Sequence, residues 1–396
     1  MTTKPDHGPP PIGRTALFLK FLRFGCLAFG GPVAQIAMIR QSLVEEDRWI
    51  DSVRFNRLLA VMQILPGPEA HELCVHMGMM ARGRTGGLLA GVGFMLPGFV
   101  LMLGAGWLYR DWIGHASWAA PMLFGVQLII LAVILRAVQR IGGHILEDGL
   151  LWALAGGAFV ATLLAVPFWI PLLVCGLVYH FRDRPSLAIS LVALGVAIVF
   201  CLHPSTSVSR NMSGITFIAA TPWLLFVAGL KGSLLTFGGA YTAIPYVRAD
   251  TVGRHWLSDA AFLDGVALAG VLPAPLVIFA TFVGYVVGGW IGALAITTGM
   301  FLPAFAFSML FYDRLEALVE NAALHHILVG VASGVVGVIA ATLVQLAWAT
   351  YGRVTHIWAA ALIIAVGLLI GWRLKGRWAM PVTIAVGALA GGFLRP

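Results

Sequence analysis

The most constraining stretch of this chain is Gln63-Ile64-Leu65-Pro66-Gly67-Pro68-Glu69-Ala70-His71-Glu72, a proline–glycine break followed by acids inside a membrane-length apolar run. Apolar sequence flanks it from Leu58 to Leu65, Gln63 apart, and from Leu73 to Met80, His76 apart. In lipid, a broken helix survives only where protein or a water-filled cavity satisfies the freed backbone groups. Glu69 and Glu72 beside the break add to the cost, and such cost marks functional positions.

Composition supports the membrane reading. Of 396 residues, 60% are hydrophobic and only 11% charged, with a mean hydropathy of +0.92. A soluble domain carries about 25% charged residues. Windows such as Leu150–Pro167, Ala188–Leu202 and Ile327–Ala347 do not alternate in polarity, which selects helices over a barrel. The formal charge of +8 comes from Lys and Arg in short loops, so positive-inside topology accounts for it and nucleic acid is not an expected partner. Cys26, Cys74, Cys175 and Cys201 are scattered without metal or disulfide spacing and read as small buried hydrophobes. Neither a metal site nor a cofactor fingerprint is expected. Residues 1–14 read as a cytoplasmic tail without a cleavable signal.

The length rule gives about 13 spans, from Ala16–Met38 to Trp378–Phe393, with Phe55–Met80 and Ser258–Val287 interrupted. Read as simple crossings, these spans put 12 Lys and Arg on the N-terminal side. The other side has 8, including Arg40, Arg48, Arg54 and Arg57. An inside N-terminus and an outside C-terminus follow.

The chain also repeats itself. Phe29-Gly30-Gly31 recurs as Phe237-Gly238-Gly239, an offset of 208. Leu65-Pro66-Gly67-Pro68 recurs as Leu272-Pro273-Ala274-Pro275 at 207, with Trp49 and Phe55 matched by Trp256 and Phe262. Gly78, Gly83, Gly86 and Leu96-Pro97 recur 206 residues later as Gly284, Gly289, Gly292 and Leu302-Pro303. Asp51 and Ser258 correspond as N-caps. The expected division is a first repeat over 15–185, a linking span and loop over 186–219, and a second repeat over 220–396. With Ser186–Leu202 unpaired, the copies enter the membrane from opposite sides. Inverted repeats with matching discontinuous helices signify an alternating-access transporter.

Candidate substrate-binding residues follow from these breaks. Half-helices starting at Pro68 and Pro275 direct free N–H groups toward mid-membrane, which suits an anion; a plain proline kink is the bland alternative. Gly30 and Gly31, with Gly238 and Gly239, either expose backbone to a ligand or serve tight packing. Arg23 and Lys231 precede the glycine pairs at the same offset, and each is either a site cation or a snorkelling anchor. Gln63, Pro66, Gly67, Tyr241 and Pro273 complete the set. Glu69, Glu72 and His76 fall on one helical face and are candidates for proton coupling, with helix capping the alternative for Glu69. Asp264, which stands where Arg57 stands in the first copy, pairs with Lys231 or serves coupling. Arg136, Arg140 and His144 read as interface anchors.

At FGGPVAQI, LLAVMQILPGPEAHEL and GFMLPG, and again at TFGGAYTAIPYV, LPAPLVIFATFVGY and FLPA, the chain resembles the chromate ion transporter family. The resemblance is clearest over residues 15–312. It implies the long two-domain form and proton-motive export of chromate across a bacterial inner membrane, with sulfate as a look-alike and chromate resistance as the outcome. A homodimer is compatible with it. Two departures stand out: Pro-Ala-Pro at Pro273–Pro275 instead of proline–glycine–proline, and His71 and His76 where neutral residues are usual. A sulfate or organic-anion uptake or exchange carrier is the rival within transport. An intramembrane hydrolase built on Glu69, Glu72 and His76 is the rival outside it.

Overall fold

The computed structural model describes residues 9–29, 31–113, 116, 119–167, 169–202, 219–237, 240–310, 322–354, 356–374 and 379–393. The described residues form an all-α polytopic membrane protein. Its helices are α1 (Arg14–Cys26), α2 (Gly31–Arg40, extended by a π-helical turn to Glu46), α3 (Ser52–Ile64), α4 (Glu69–Asp111), α5 (Ala119–Ile145), α6 (Gly149–Leu163), α7 (Trp169–His180) and α8 (Pro185–Leu202). They continue with α9 (Pro222–Leu234), α10 (Ala243–Thr251), α11 (Asp259–Val271), α12 (Phe279–Leu310), α13 (Ala322–Tyr351), α14 (Ile357–Arg373) and α15 (Ala379–Phe393). Among the described residues α4, α5, α12 with its leading turn, and α13 are long and apolar enough to cross a membrane; six further apolar helices are shorter. Trp107, Trp223, Trp290, Trp348 and Trp358 are exposed on the outer surface, as side chains facing lipid and its interface are.

The interrupted spans are not simple crossings, and this corrects the expected loop assignment. Lys20 in α1 forms an ion pair with Asp47 after α2 and lies over Trp49, so the Ala16–Met38 run turns back between α1 and α2. Phe55 and Leu58 of α3 share one buried cluster with Leu73 and Met77 of α4, so α3 and the first part of α4 also fold back, about residues 65–68. In the second copy Lys231 reaches Asp250, and a Cβ on Gly265 would meet the Phe282 ring at 2.5 Å, giving two more such turns. The segment with Arg40, Arg48 and Arg54 therefore returns to the end where α1 begins, and that of Arg248 and Arg254 to the opposite one.

Both long bent helices double back at matching places. Helical geometry fails at Arg82 and Gly83 (φ +59°) in α4, and at Gly288 and Gly289 (φ +63°) in α12. Glycine supplies the left-handed residue of each bend. Beyond the bends the arms close on glycine seams: a Cβ on Gly78 would lie 2.4 Å from the Gly86 carbonyl, and one on Gly284 2.5 Å from that of Gly292.

Correspondence runs through the whole order, α1–α7 with α9–α15, leaving α8 unmatched. Equivalent helices run antiparallel. Arg353, after α13, bonds Gln127 near the start of α5, while Gly142 near its far end packs on Val336, midway along α13. The copies interlock: α5 packs against α14 and α15, and α13 packs against α6 and α7. Both expected N-caps are present, with Asp51 accepting from the Arg54 N–H at 2.9 Å and Ser258 from that of Ala261 at 3.2 Å. Cys74 and Cys175 are buried as expected; Cys26 at the end of α1 is exposed, contrary to expectation.

Candidate functional site

The four turn-backs converge crosswise. Gly67 donates its N–H to the Thr236 carbonyl at 2.9 Å, joining the first proline break to the second glycine-pair segment. Gln35, buried in α2, donates its side-chain amide to the Ala28 and Ala274 carbonyls, both at 2.9 Å. That joins the first glycine-pair segment to the second proline break. Thr236 and Ala28 are 208 apart, and Gly67 and Ala274 are 207 apart, so the same two positions meet in both crossings. Gly30, Gly238 and Gly239 lie outside the described residues, as does the Gln63 side chain.

A small cavity opens at this crossing, lined by Gly31, Tyr241, Leu272, Ala274, Leu276 and Met380. Its volume of about 10 Å³ is at the lower limit for one water, so the site is closed around less than a tetrahedral oxyanion.

The first proline break carries the acids. Pro68 is the N-cap rather than the first helical residue, and its carbonyl accepts the His71 and Glu72 N–H groups at 2.9 and 3.1 Å. The amides of Glu69 and Ala70 start the half-helix. Gly67 has φ +145°, and a Cβ there would fall 2.2 Å from Glu72 Oε1, so the carboxyl of Glu72 is folded against the glycine. Glu72 is buried, and neither of its carboxyl oxygens has a hydrogen-bond partner among the described residues. A buried polar group in that condition calls for a functional explanation. Glu69 and His76 are also buried on this face. His71 faces elsewhere: its Nε2 lies 3.2 Å from the Gly91 carbonyl and its ring packs on Phe301 and Phe305, so it ties the two arms of α4 together.

The second break is lined differently. Its half-helix starts with a 3-10 turn, Leu276–Ile278, and Leu276 and Phe279 stand in place of Glu69 and Glu72. Ala274 fits because position 98 is glycine: a Cβ on Gly98 would come 2.3 Å from that of Ala274. This accommodates the Pro-Ala-Pro departure.

The expected pairing of Asp264 with Lys231 is wrong. Lys231 Nζ bonds Asp250 Oδ2 at 2.7 Å, because the turn-back sets α10 beside α9, and Arg254 approaches the same carboxylate at 3.4 Å. Asp264 instead accepts from Tyr109 Oη at 2.9 Å and Gln127 Nε2 at 2.8 Å, and Arg353 holds the other end of the Gln127 amide at 2.9 Å. Arg23 is exposed on α1. Sequence reasoning missed Gln35, whose signal was a lone amide in an apolar run four residues past the glycine pair.

Re-entrant half-helices from two antiparallel copies, meeting at a closed cavity inside a polytopic helical protein, define the architecture of a membrane transporter. The chain belongs to the chromate transporter family, whose model matches residues 15–180 and again 223–392. It is 54% identical to a chromate transport protein of Pseudomonas aeruginosa over 377 residues, covering 93% of this chain and 89% of that one. It is 30% identical to a chromate transport protein of Cupriavidus metallidurans, covering 86% and 84%, and 28% identical to an uncharacterised transporter of Methanocaldococcus jannaschii, covering 84% of each. No solved structure matches.

Proposed function

We propose that this protein is a secondary transporter that exports chromate across the bacterial inner membrane, with sulfate as a competing analogue and the proton-motive force as the driver. The observation that carries this reading is the double crossing, Gly67 to Thr236 and Gln35 to Ala28 and Ala274, which brings both broken segments of both copies to one point. The anion sits there between the half-helices that follow Pro66–Pro68 and Pro273–Pro275, on the amides of Glu69 and Ala70 and the backbone of the glycine pairs. Arg23 and Lys231, on the helices leading into those pairs, contribute to a field that favours negative charge, the latter shared with Asp250.

Glu72, with Glu69 and His76 on the same face, takes up and releases the coupled proton, and Asp264, which aligns with Arg57 rather than with these acids, is a second coupling group on the other copy. Residues 15–185 and 220–396 are the two inverted transport repeats, joined through 186–219. The folded-back course of α1–α3 places Arg40, Arg48 and Arg54 with the N-terminal end, which favours a cytoplasmic N-terminus and a periplasmic C-terminus.

Radiolabelled chromate and sulfate flux in proteoliposomes under an imposed pH gradient tests this. Gradient-dependent chromate movement that unlabelled sulfate inhibits is the expected outcome. Turnover of a substrate without any vectorial flux would replace transport with catalysis.

A further inference from the structure

An ionisable group buried at membrane depth keeps partners, and those of Asp264 are all donors. Tyr109 Oη donates to one carboxyl oxygen at 2.9 Å and Gln127 Nε2 to the other at 2.8 Å. Arg353, exposed after α13, reaches back to donate to Gln127 Oε1 at 2.9 Å, which turns the NH2 end of that amide toward the acid. Asp264 and Gln127 are both buried. Tyr109 lies in the last turn of α4, Gln127 in the third turn of α5 and Arg353 just past α13, so the three donors gather at one end of the bundle.

Holding α11 in place does not call for an acid. Phe262 of α11 packs edge-on against Phe279 of α12, and the Tyr109 ring packs edge-on against Phe282, so aromatic contacts already join these helices. Asp264 stands eight residues before Leu272, which lines the cavity, so about 12 Å of helix separates the donor cluster from the crossing. Within the cluster the charges of Asp264 and Arg353 cancel. With the acid withdrawn, one guanidinium and two neutral donors remain, a set that suits a tetrahedral oxyanion, whose paired oxygens take donors as a carboxylate does.

We propose that Tyr109, Gln127 and Arg353 form a second oxyanion subsite, between the crossing and the end of the protein where α4 and α13 finish, and that the Asp264 carboxylate fills it here as a tethered substitute for the substrate. This deepens the transport reading and rests on it. α11 leads into the second break, so movement of that hairpin away from α4 and α5 takes the carboxylate out and leaves the donors to a passing anion. Acid and substrate exclude one another, which keeps this path shut whenever no anion is crossing it.

The test begins with the purified full chain in detergent, sulfate as the probe and thermal unfolding as the readout. D264A opens the subsite, so sulfate is expected to raise its melting temperature at least about threefold more than that of wild type at the same concentration. Wild type in the same solution cancels the general stabilising effect of sulfate. The excess should vanish when Q127L is added to D264A. If D264A does not assemble, D264S is read in its place. Y109F and R353Q, which leave the acid, are read by chromate flux in right-side-out and inside-out membrane vesicles. Their half-saturating concentration is expected to rise about threefold from the face where α11 begins and to stay within roughly 1.5-fold from the other. An equal sulfate shift in D264A and wild type, an excess that survives Q127L, or half-saturation that is unchanged or altered alike from both faces returns the cluster to a structural role. Wild type that carries no chromate overturns the transport reading, while the sulfate comparison in detergent still decides the subsite.

Discussion

The two proline breaks of this protein share a geometry and differ in chemistry. Each lies at the tip of a folded-back helix pair, is touched by the glycine-pair segment of the other copy, and leads into a half-helix that closes on a glycine seam. Yet the first is followed by Glu69 and Glu72, and the second by Leu276 and Phe279. The first needs glycine at its centre; the second accepts alanine because Gly98 gives way. Symmetry here sets where the backbone must open, and asymmetry sets what titrates. Duplication supplies a frame that can exist in two related states, while the acids that directly follow a break belong to one copy alone.

The strongest way to break that comparison is to remove the acid. E72Q keeps the size of the side chain but cannot exchange a proton. It is expected to cut chromate flux driven by a pH gradient by more than about tenfold, or ~1.4 kcal/mol. Exchange of labelled for unlabelled chromate at equal pH should survive. F279L, the matched change in the second copy, is expected to leave gradient-driven flux within about twofold, since a conservative apolar swap in a core costs under roughly 1.5 kcal/mol. Loss of coupling in F279L with E72Q unaffected would assign the chemistry to the wrong copy.

A smaller effect separates the two central residues. G67A asks alanine to hold φ +145° and drives its Cβ into the Glu72 carboxyl. Strain alone is of order 1–3 kcal/mol, so a clear fall in detergent melting temperature should accompany loss of flux. A274G removes one methyl from a contact with Gly98, about 1 kcal/mol or less, and should retain flux. Equal tolerance at both positions would mean that the Gly67 carboxyl contact does not shape the break.

Much of this frame was legible because membrane burial writes its cost into local sequence. Prolines and glycines cannot hide in a lipid-facing helix, so the breaks, the bends at Gly83 and Gly289, and the caps at Asp51 and Ser258 could all be placed by their offsets. What could not be read was where each run goes after its break. Crossing and folding back use the same residues, and only contacts such as Lys20 with Asp47 distinguish them. The partners of Asp264 lie at Tyr109 and Gln127, 155 and 137 residues away, and no local pattern announces a pairing at that range. The contact of His71 was equally unreadable: its neighbours in sequence are the site acids, but its ring nitrogen lies against the Gly91 carbonyl.

The finest contrast concerns how each crossing is fastened. In one, the bond to the Thr236 carbonyl comes from the main-chain N–H of Gly67, which no side-chain substitution removes. In the other, the equivalent Ala28 carbonyl depends on the amide of Gln35, which also holds Ala274. Q35A therefore leaves two buried carbonyls without their donor and should lower stability by about 1–3 kcal/mol, read from thermal unfolding in detergent. T236A loses only the hydroxyl bond to Gly232, roughly 0.5–1.5 kcal/mol, and keeps its crossing intact. If T236A proved as damaging as Q35A, the fastening would be the side chain in both copies. Both clasps are donated by the acid-bearing copy, one by the main chain of Gly67 and one by the side chain of Gln35, whose counterpart 208 residues on is Ala243.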